Sequence, residues 1–271
     1  MRLGLLTNCF RGRSLLEIAD WAHANGFSAL EVGPHIQLDA DVFRKAQEKI
    51  EICALIYCRN FFDSDPAVAE GHVKNLKARI EFAIKLNIPL IVTSTGIVEG
   101  AGYEGSIDRV VGFFEEMVEL IGDSPLRIAF ENCPAMGNIA ISPYMWSKLF
   151  EKLPPEKFGL AYDPSHLVWQ LIDPYRHIEE VKDRIFHVHA KDTQVRRNIL
   201  ENAGILMHRL WWKHRLPGLG DIDWDRMIET LRRAGYDGIV SVEHEDPEWE
   251  GSYEKVERGL LMTHEHLARL V

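Results

Sequence analysis

The stretch RIFHVHAKD, residues 184–192, is the part of the sequence that decides the fold. Successive side chains of a β-strand point to opposite faces, so the apolar Phe and Val residues share one face while His187, His189 and Lys191 share the other. A strand of an α/β protein is usually apolar on both faces, and buried polar groups need partners. A hydrogen-bonded core histidine would explain one such residue, but the pattern recurs elsewhere in the chain.

Three further segments combine bulky apolar residues on one face with a small residue and then an acid on the other. They are RIAFEN (127–132), FGLAYDPSH (158–166) and IVSVEHED (239–246). In a (β/α)₈ barrel, alternate residues of each strand fill the interior, and catalytic residues lie at the C-terminal ends of the strands. The side chains expected to converge at that end are Glu131, Asp163, His189 and Glu243.

Strands and helices alternate eight times along the chain, which predicts an α/β fold, a single (β/α)₈ TIM barrel over residues 1–271. The 271 residues match the ~250 that are typical of this barrel. Ser14 and Glu17 form a capping box that predicts a helix start. The pairs Asp65-Pro66 and Asp173-Pro174 each predict another, because an N-cap residue precedes a proline at the first helical position.

Charge and composition exclude several classes of partner. The formal net charge is −10, from 41 acidic against 31 basic residues, and no Lys/Arg cluster is long enough to follow a phosphate backbone, so no nucleic-acid partner is expected. The sequence contains no run of ~18 apolar residues, so no membrane span is predicted. The four cysteines lack zinc-finger spacing, and Cys53 and Cys58 lie in or beside an apolar run. We expect reduced, buried thiols in a cytoplasmic protein.

The alternation breaks at about residues 192–222, and a loop of that length in a compact barrel is uncommon unless it is functional. Its aromatic and basic residues include His208, Trp211, Trp212, His214 and Arg215. We expect an active-site loop in which Trp211 and Trp212 give apolar cover and Arg215 binds substrate oxygens. The alternative is a packing or subunit-contact loop in a homo-oligomer, since Trp is common at interfaces.

The four convergent residues form a mixed oxygen and nitrogen ligand set, which suits one divalent metal ion. Mn²⁺ is favoured, with Mg²⁺, Co²⁺ or Zn²⁺ as alternatives, and a thiolate-bound structural zinc is not expected. The competing interpretation is a buried salt-bridge network that includes Lys191. It is less favoured because three clustered carboxylates without a cation would be costly.

Five motifs give the sequence a resemblance to a known superfamily: FEN (130–132), YDPSH (162–166), HVHAKD (187–192), GLGDIDW (218–224) and VEHED (242–246). The sequence resembles the xylose isomerase-like TIM barrel superfamily, which includes sugar-phosphate isomerases and epimerases, inosose dehydratase and endonuclease-IV-type AP nucleases. The resemblance implies that the metal ligands are Glu131, Asp163, His189 and Glu243. It also implies that His166 contacts a substrate oxygen and that the ligand glutamates serve as acid and base.

The predicted activity is that of a divalent-metal-dependent sugar isomerase or epimerase acting on a keto-sugar or related polyol. Glu131 or Glu243 would take the proton next to a carbonyl, and the metal would stabilise the enediolate. His166 or Lys191 would donate hydrogen bonds to substrate oxygens. A metal-dependent dehydratase or lyase of an inosose or 3-keto-glycoside stays open, because ENCPAMGN (131–138) lacks the further glutamate common in ketose 3-epimerases. A sugar-binding barrel without activity and a metal-free glycosidase are remoter alternatives.

Overall fold

The computed structural model describes the backbone of residues 1–271 and the side chains of all of them except His208 and Arg209. The strands are β1 (Arg2–Leu6), β2 (Ala29–Val32), β3 (Glu51–Tyr57), β4 (Leu90–Thr93), β5 (Arg127–Glu131), β6 (Phe158–Tyr162), β7 (Ile185–Ala190), β8 (Asp192–Val195), β9 (Trp212–Arg215) and β10 (Ile239–Val242). The α-helices are α1 (Leu15–Ala24), α2 (Ala40–Gln47), α3 (Pro66–Leu86), α4 (Gly102–Gly105), α5 (Ile107–Ile121), α6 (Pro143–Phe150), α7 (Pro164–Trp169), α8 (Arg197–Ala203), α9 (His208–Trp211), α10 (Trp224–Arg233) and α11 (Tyr253–Ala268).

Eight parallel strands close into a barrel in the order β1-β10-β7-β6-β5-β4-β3-β2, which confirms the predicted (β/α)₈ fold. The strands β8 and β9, which lie between β7 and β10 in the sequence, pair with each other in a separate antiparallel sheet, referred to below as the hairpin. Two predicted helix starts are also confirmed. Ser14 and Glu17 make the reciprocal bonds of a capping box at α1, and Asp65 accepts the backbone N–H of Ala67 at the start of α3.

The strand register explains why the polar residues meet inside the barrel. Ala161 of β6 pairs with His187 of β7, and Ser241 of β10 pairs with His189. The next inward positions on these strands, two residues further along, are therefore neighbours at the same end. Below them lies a buried apolar cluster in which small residues such as Ala129 are mixed with larger ones such as Val92.

Three local predictions differ from the structure. Residues 174–181 form successive turns and not a helix, although Asp173 accepts the N–H groups of Tyr175 and Arg176 as a cap would, because the chain must enter β7 soon afterwards. The same Asp-Pro signal at Asp163 starts α7, a helix that was not predicted. The segment after Asp192, predicted to be irregular, contains the antiparallel pair β8 and β9, the two short α-helices α8 and α9, and a 3₁₀-helix over Ile205–Met207.

All four cysteines are free. Cys53 and Cys58 are buried, as predicted, whereas Cys9 and Cys133 are partly exposed. Among the described residues, no helix combines the length and the apolar character needed to cross a membrane.

Candidate active site

Four side chains from four barrel strands or strand ends converge inside the C-terminal mouth of the barrel. One oxygen or nitrogen atom from each lies within 4.8 Å of the corresponding atoms of the other three. The four residues are Glu131, Asp163, His189 and Glu243, and all are buried. The structure therefore brings together the complete ligand set that the sequence predicted.

Backbone-directed hydrogen bonds hold two of these carboxylates in place. Asn132 accepts the N–H of Asp163 at 2.7 Å and donates to its carbonyl oxygen at 2.8 Å, which joins the ends of β5 and β6. Asp163 Oδ1 accepts the N–H of Ser165 at 2.8 Å, so its other oxygen is turned into the site. Asn138 donates to the carbonyl oxygen of Glu131 at 2.7 Å.

Three atoms of the cluster are buried and form no hydrogen bond of acceptable geometry: Asp163 Oδ2, His189 Nδ1 and Glu243 Oε2. Most buried polar atoms in proteins have a hydrogen-bond partner, so three orphans facing one another need an explanation. A divalent cation would coordinate all three, and carboxylate oxygen and imidazole nitrogen are suitable donors for it. The residues present therefore fit a metal ion.

Lys191 also belongs to this cluster. Its contacts test the competing interpretation, which is that the cluster is a buried salt-bridge network without a metal ion. Its ammonium lies 2.8 Å from Glu243 Oε2 and 3.0 Å from Asp163 Oδ2. Both contacts are ion pairs that lack the alignment of a hydrogen bond. The ammonium donates a hydrogen bond to Glu245 at 3.1 Å. Glu131 Oε1 is 3.9 Å away. One ammonium thus faces four carboxylates, so without a metal ion the balance of charge depends on protonated His166 and His189.

The environment lowers the pKa of two of these acids. Burial alone would raise the pKa of Glu131, but hydrogen bonds from His166 and His189, together with the charge of Lys191, hold it well below its usual value. Burial is likewise outweighed at Asp163, where Lys191 and His166 lower the pKa. Both carboxylates are therefore ionised near neutral pH, as metal ligands must be.

Glu243 and His189 respond in the opposite direction. Burial, and then the nearby negative charges of Glu245 and Glu131, raise the pKa of Glu243 although Lys191 opposes them. Burial would lower the pKa of His189, but Glu31 and Glu243 raise it well above its usual value. A cation bound here would have to displace the proton on Nδ1 of His189.

A cleft of about 460 Å³ lies over the cluster. Of the four candidate ligands, Glu131 and Glu243 line it, together with Lys191, whereas Asp163 and His189 do not. A second cavity of about 680 Å³ adjoins it and shares Asn8, Arg11 and Glu245 with the cleft. Asp163 and His189 can thus serve a metal ion from below while the two glutamates face the space open to a substrate.

His166 is buried beside the cluster and lines neither cavity. Its Nε2 lies 3.2 Å from Asp163 Oδ2 and 3.5 Å from Glu131 Oε1, and Trp169 donates its indole N–H to Nδ1 at 3.3 Å. Burial would lower the pKa of His166, but the neighbouring Cys133 and Asp163 raise it well above its usual value, so Nε2 carries a proton that is directed at the carboxylates. Direct contact of His166 with a substrate stays a prediction.

The structure does not bring the other predicted substrate-binding residues to the cleft. Trp211 is buried, Trp212 stacks on Trp169 with ring centroids 4.6 Å apart, and Arg215 forms ion pairs with Asp246 and Glu248. None of Trp211, Trp212 and Arg215 is among the described residues that line the two cavities. Their substrate contacts, and the role of the segment as a lid, stay predictions.

The two histidines of this segment differ in how far the structure describes them. The side chain of His208 lies outside the described residues. His214 lies in β9 with its ring 5.5 Å from the ring of His166 and its Nε2 3.7 Å from Glu245. Burial, Lys191 and His166 lower the pKa of His214 to about 3, so the ring is neutral near pH 7.

Sequence reasoning missed Glu31 and Glu245, which contact the cluster on opposite sides. Glu31 of β2 is fully buried and touches His189, whereas Glu245 is exposed and pairs with Lys191 in the cleft. The signal for Glu31 was an acid at an inward position near the end of a short predicted strand, as in the other three strands. Glu245 comes after the last strand, where alternation no longer predicts direction.

Three comparisons with known proteins agree with this architecture. The chain is 28% identical to an inosose dehydratase of Geobacillus thermodenitrificans over 238 residues, covering 82% of this chain and 79% of that protein. It superposes on the crystal structure of the IOLI protein with a bound zinc atom (TM-score 0.70, 15% identity, 100% and 99% coverage). It also superposes on D-psicose 3-epimerase of Clostridium cellulolyticum H10 (TM-score 0.73, 14% identity, 100% and 99% coverage).

The two structural likenesses, at such low identity, show a shared fold. The sequence model of the family described as xylose isomerase-like TIM barrel matches residues 19–266, which is most of the chain and includes all four strands that carry the cluster. The chain belongs to the xylose isomerase-like TIM barrel family.

Proposed function

We propose that this protein is an enzyme that holds one divalent metal ion with Glu131, Asp163, His189 and Glu243. The observation that carries the proposal is the convergence of buried oxygen and nitrogen atoms beneath an open cleft, of which those from Asp163, His189 and Glu243 have no hydrogen-bond partner. The predominance of carboxylate oxygen favours Mn²⁺, with Mg²⁺, Co²⁺ and Zn²⁺ as alternatives. The zinc atom of the IOLI structure supports a divalent ion without deciding its identity.

When bound, the ion would act as a Lewis acid that polarises a carbonyl group of the substrate. The base is then expected among side chains that are both anionic and open to the cleft. Glu131 and Glu243 line the cleft, and coordination to the metal ion would keep both ionised, whereas Asp163 does not line the cleft. We therefore assign removal of the proton next to the carbonyl to one of these two glutamates.

Lys191 lines the cleft with its ammonium close to Glu243 and Glu245. Its position suits a hydrogen-bond donor to a substrate oxygen near the carbon from which Glu243 would take a proton. Glu245, which lies at the exposed side of the ammonium, keeps it directed into the cleft. A substrate rich in hydroxyl groups matches this density of charged donors and acceptors.

The first candidate reaction is dehydration of an inosose or a similar keto-polyol. The C–H bond next to the carbonyl breaks, its electrons form the new C=C bond, and the C–O bond on the following carbon breaks, so that the hydroxyl leaves as water after it gains a proton. The relative with 28% identity over about four fifths of both chains is an inosose dehydratase, which favours this outcome. A 3-keto-glycoside would lose an alkoxy group in the same way.

The second candidate is isomerisation or epimerisation of a keto-sugar. The observation in its favour is that Glu131 and Glu243 both face the cleft, from strands separated by two others around the barrel. One glutamate can then remove a proton and the other can return one to a neighbouring carbon or to the other face. Both candidates share the proton-abstraction step and differ only in the steps after it.

The test is a screen of protein loaded with Mn²⁺, Co²⁺, Mg²⁺ or Zn²⁺ against inososes, keto-sugars and 3-keto-glycosides, with products followed by mass spectrometry and NMR in D₂O. Dehydration shows as a product lighter by one water, and epimerisation as an isomer that can carry solvent deuterium. Elemental analysis of the purified protein accompanies the screen. Full activity in chelated, metal-free protein would contradict the proposal.

A further inference from the structure

Glu31 lies beneath the candidate metal site and has no exposed surface. Its carboxylate contacts two histidines of β7: Oε2 is 3.0 Å from His187 Nε2 and 3.0 Å from His189 Nε2, and Oε1 is 3.2 Å from His189 Nε2. A buried carboxylate in the centre of a barrel is costly unless such partners stabilise it. Here both partners are ring nitrogens, and one ring belongs to a candidate ligand.

The two nitrogens of His189 face different acids. Nε2 faces Glu31, whereas Nδ1 lies 3.2 Å from Glu243 Oε2 and 3.6 Å from Glu131 Oε1, on the side of the candidate ligands. A neutral imidazole carries one N–H and one lone pair, and a hydrogen bond to one nitrogen decides which is which. An N–H donated from Nε2 to Glu31 leaves the lone pair of Nδ1 directed at the metal site.

We propose that Glu31 is a positioning residue that fixes the proton on Nε2 of His189 and the orientation of its ring, so that Nδ1 is the metal-binding nitrogen. This inference rests on the proposed metal site. Carboxylates that hold ligand histidines in this way raise the basicity of the ring, and their loss commonly weakens metal binding about 10- to 100-fold. The strand β2 thus contributes to the site although none of its residues belongs to the ligand set.

Glu31, His187 and His189 also lie close enough together to be considered as a second metal site. A metal there would use Nε2 of His189 while the first site uses Nδ1 of the same ring, which would require the ring to lose both protons. The separations of 3.0–3.2 Å are those of N–H to oxygen hydrogen bonds. Hydrogen bonding to Glu31 satisfies Nε2 of both rings without a second ion.

His187 provides a matched control. It donates to the same Glu31 oxygen as His189, and its ring lies 5.4 Å from the His189 ring at a nearly perpendicular angle. No ion pair joins His187 to Glu131, Asp163 or Glu243 among the described side chains. Removing it disturbs the same buried network but leaves the bond between Glu31 and His189 available.

The experiment compares wild-type protein with Glu31→Gln and His187→Gln. Each protein is first made metal-free with a chelator and is then titrated with Co²⁺. Calorimetry gives the affinity, and visible absorption reports the coordination geometry. Urea unfolding of the metal-free proteins measures stability. Glu31→Gln should weaken Co²⁺ binding about 10- to 100-fold and alter the spectrum. His187→Gln should lose stability while keeping an affinity and a spectrum close to those of wild type.

A measurement on wild-type protein keeps the inference testable if Glu31→Gln does not fold. In Zn²⁺-loaded wild type, ¹⁵N NMR of the His189 ring should show a proton on Nε2 and none on Nδ1. The opposite tautomer would overturn the inference, as would unchanged Co²⁺ binding in Glu31→Gln or equal weakening in both variants. Wild-type protein that binds neither ion would overturn it together with the metal site, whereas the other outcomes leave the metal site standing.

Discussion

Asp192 joins the two ends of the segment after β7, and its replacement tests how that segment is held on the barrel. The side chain is fully buried. Oδ1 accepts the N–H groups of Thr193 at 2.7 Å and Ile222 at 3.1 Å, and Oδ2 accepts those of Gly218 at 3.2 Å and the Trp224 indole at 3.0 Å. All four neighbours are donors, so this position requires an acceptor at both oxygens.

Asp192→Asn keeps the shape of the side chain but replaces one oxygen with an NH₂ group. Whichever way the amide turns, two of the four N–H donors then face another donor. A hydrogen bond to a charged group contributes about 1.5–3 kcal/mol, and a buried donor left without a partner costs about 1–3 kcal/mol. We expect the free energy of unfolding to fall by about 3 kcal/mol or more, which at about 2–4 °C per kcal/mol lowers Tm by roughly 6–12 °C.

Urea unfolding followed by circular dichroism gives the change in free energy, and calorimetry gives the change in Tm. The matched control is Asp221→Asn in the same segment, where the exposed carboxylate accepts one backbone bond, from Val195 at 2.8 Å. That substitution should cost less than about 1 kcal/mol. Equal stability of Asp192→Asn and wild type, or of the two variants, would refute the argument that this carboxylate holds the segment.

Three further predictions concern the site. Glu131→Gln and Glu243→Gln should each abolish turnover while elemental analysis shows that the metal is retained, and full activity in either metal-replete variant would remove that glutamate from the base role. Because burial, Lys191 and His166 lower the pKa of His214 to about 3, its neutral form contributes stability that is lost as pH falls below the unfolded-state value of about 6.5. Between pH 6.5 and 3 this effect lowers the unfolding free energy of wild-type protein by up to roughly 4 kcal/mol. The unfolding free energy of His214→Gln should therefore fall less steeply with decreasing pH, and a slope equal to that of wild type would contradict this. Trp212→Ala removes the indole stacked on Trp169 and should raise KM by roughly two- to tenfold in steady-state kinetics, whereas a changed oligomeric state with unchanged kinetics would favour a subunit-contact role.

The sequence predicted the barrel and the four-residue cluster because both depend on local alternation. A period of two fixes which residues of a strand face inward, and closure of a parallel barrel brings the C-terminal ends of its strands together whatever the loops do. Glu131 and Glu243, for example, are far apart in sequence, yet each needs only its own strand pattern and the fold to be placed. No knowledge of individual contacts was necessary.

The contacts that cross the barrel were not predictable in this way. Glu31 and His189 are 158 positions apart, and β2 and β7 are not neighbours in the sheet, so their contact depends on the width of the interior and on side-chain conformation. The hairpin of β8 and β9 was missed because its polar residues, such as Thr193 and Gln194, have no apolar alternation. The Asp173-Pro174 signal gave the cap correctly but carries no information on how soon the next strand begins.

The strand β7 shows how one local pattern supplies three different functions. His187 and His189 in β7, and Lys191 just after its end, are two apart, which places each about 6–7 Å further along the strand direction than the one before. His187 bonds to Glu31 in the floor, His189 joins the floor to the candidate ligands, and Lys191 reaches the cleft. Their shared direction was decided by alternation, but their separate environments are decided by what the other strands place at each height. The same side chain type therefore has a structural role at position 187 and a proposed metal-binding role at position 189, and position in the strand, not residue identity, separates the two.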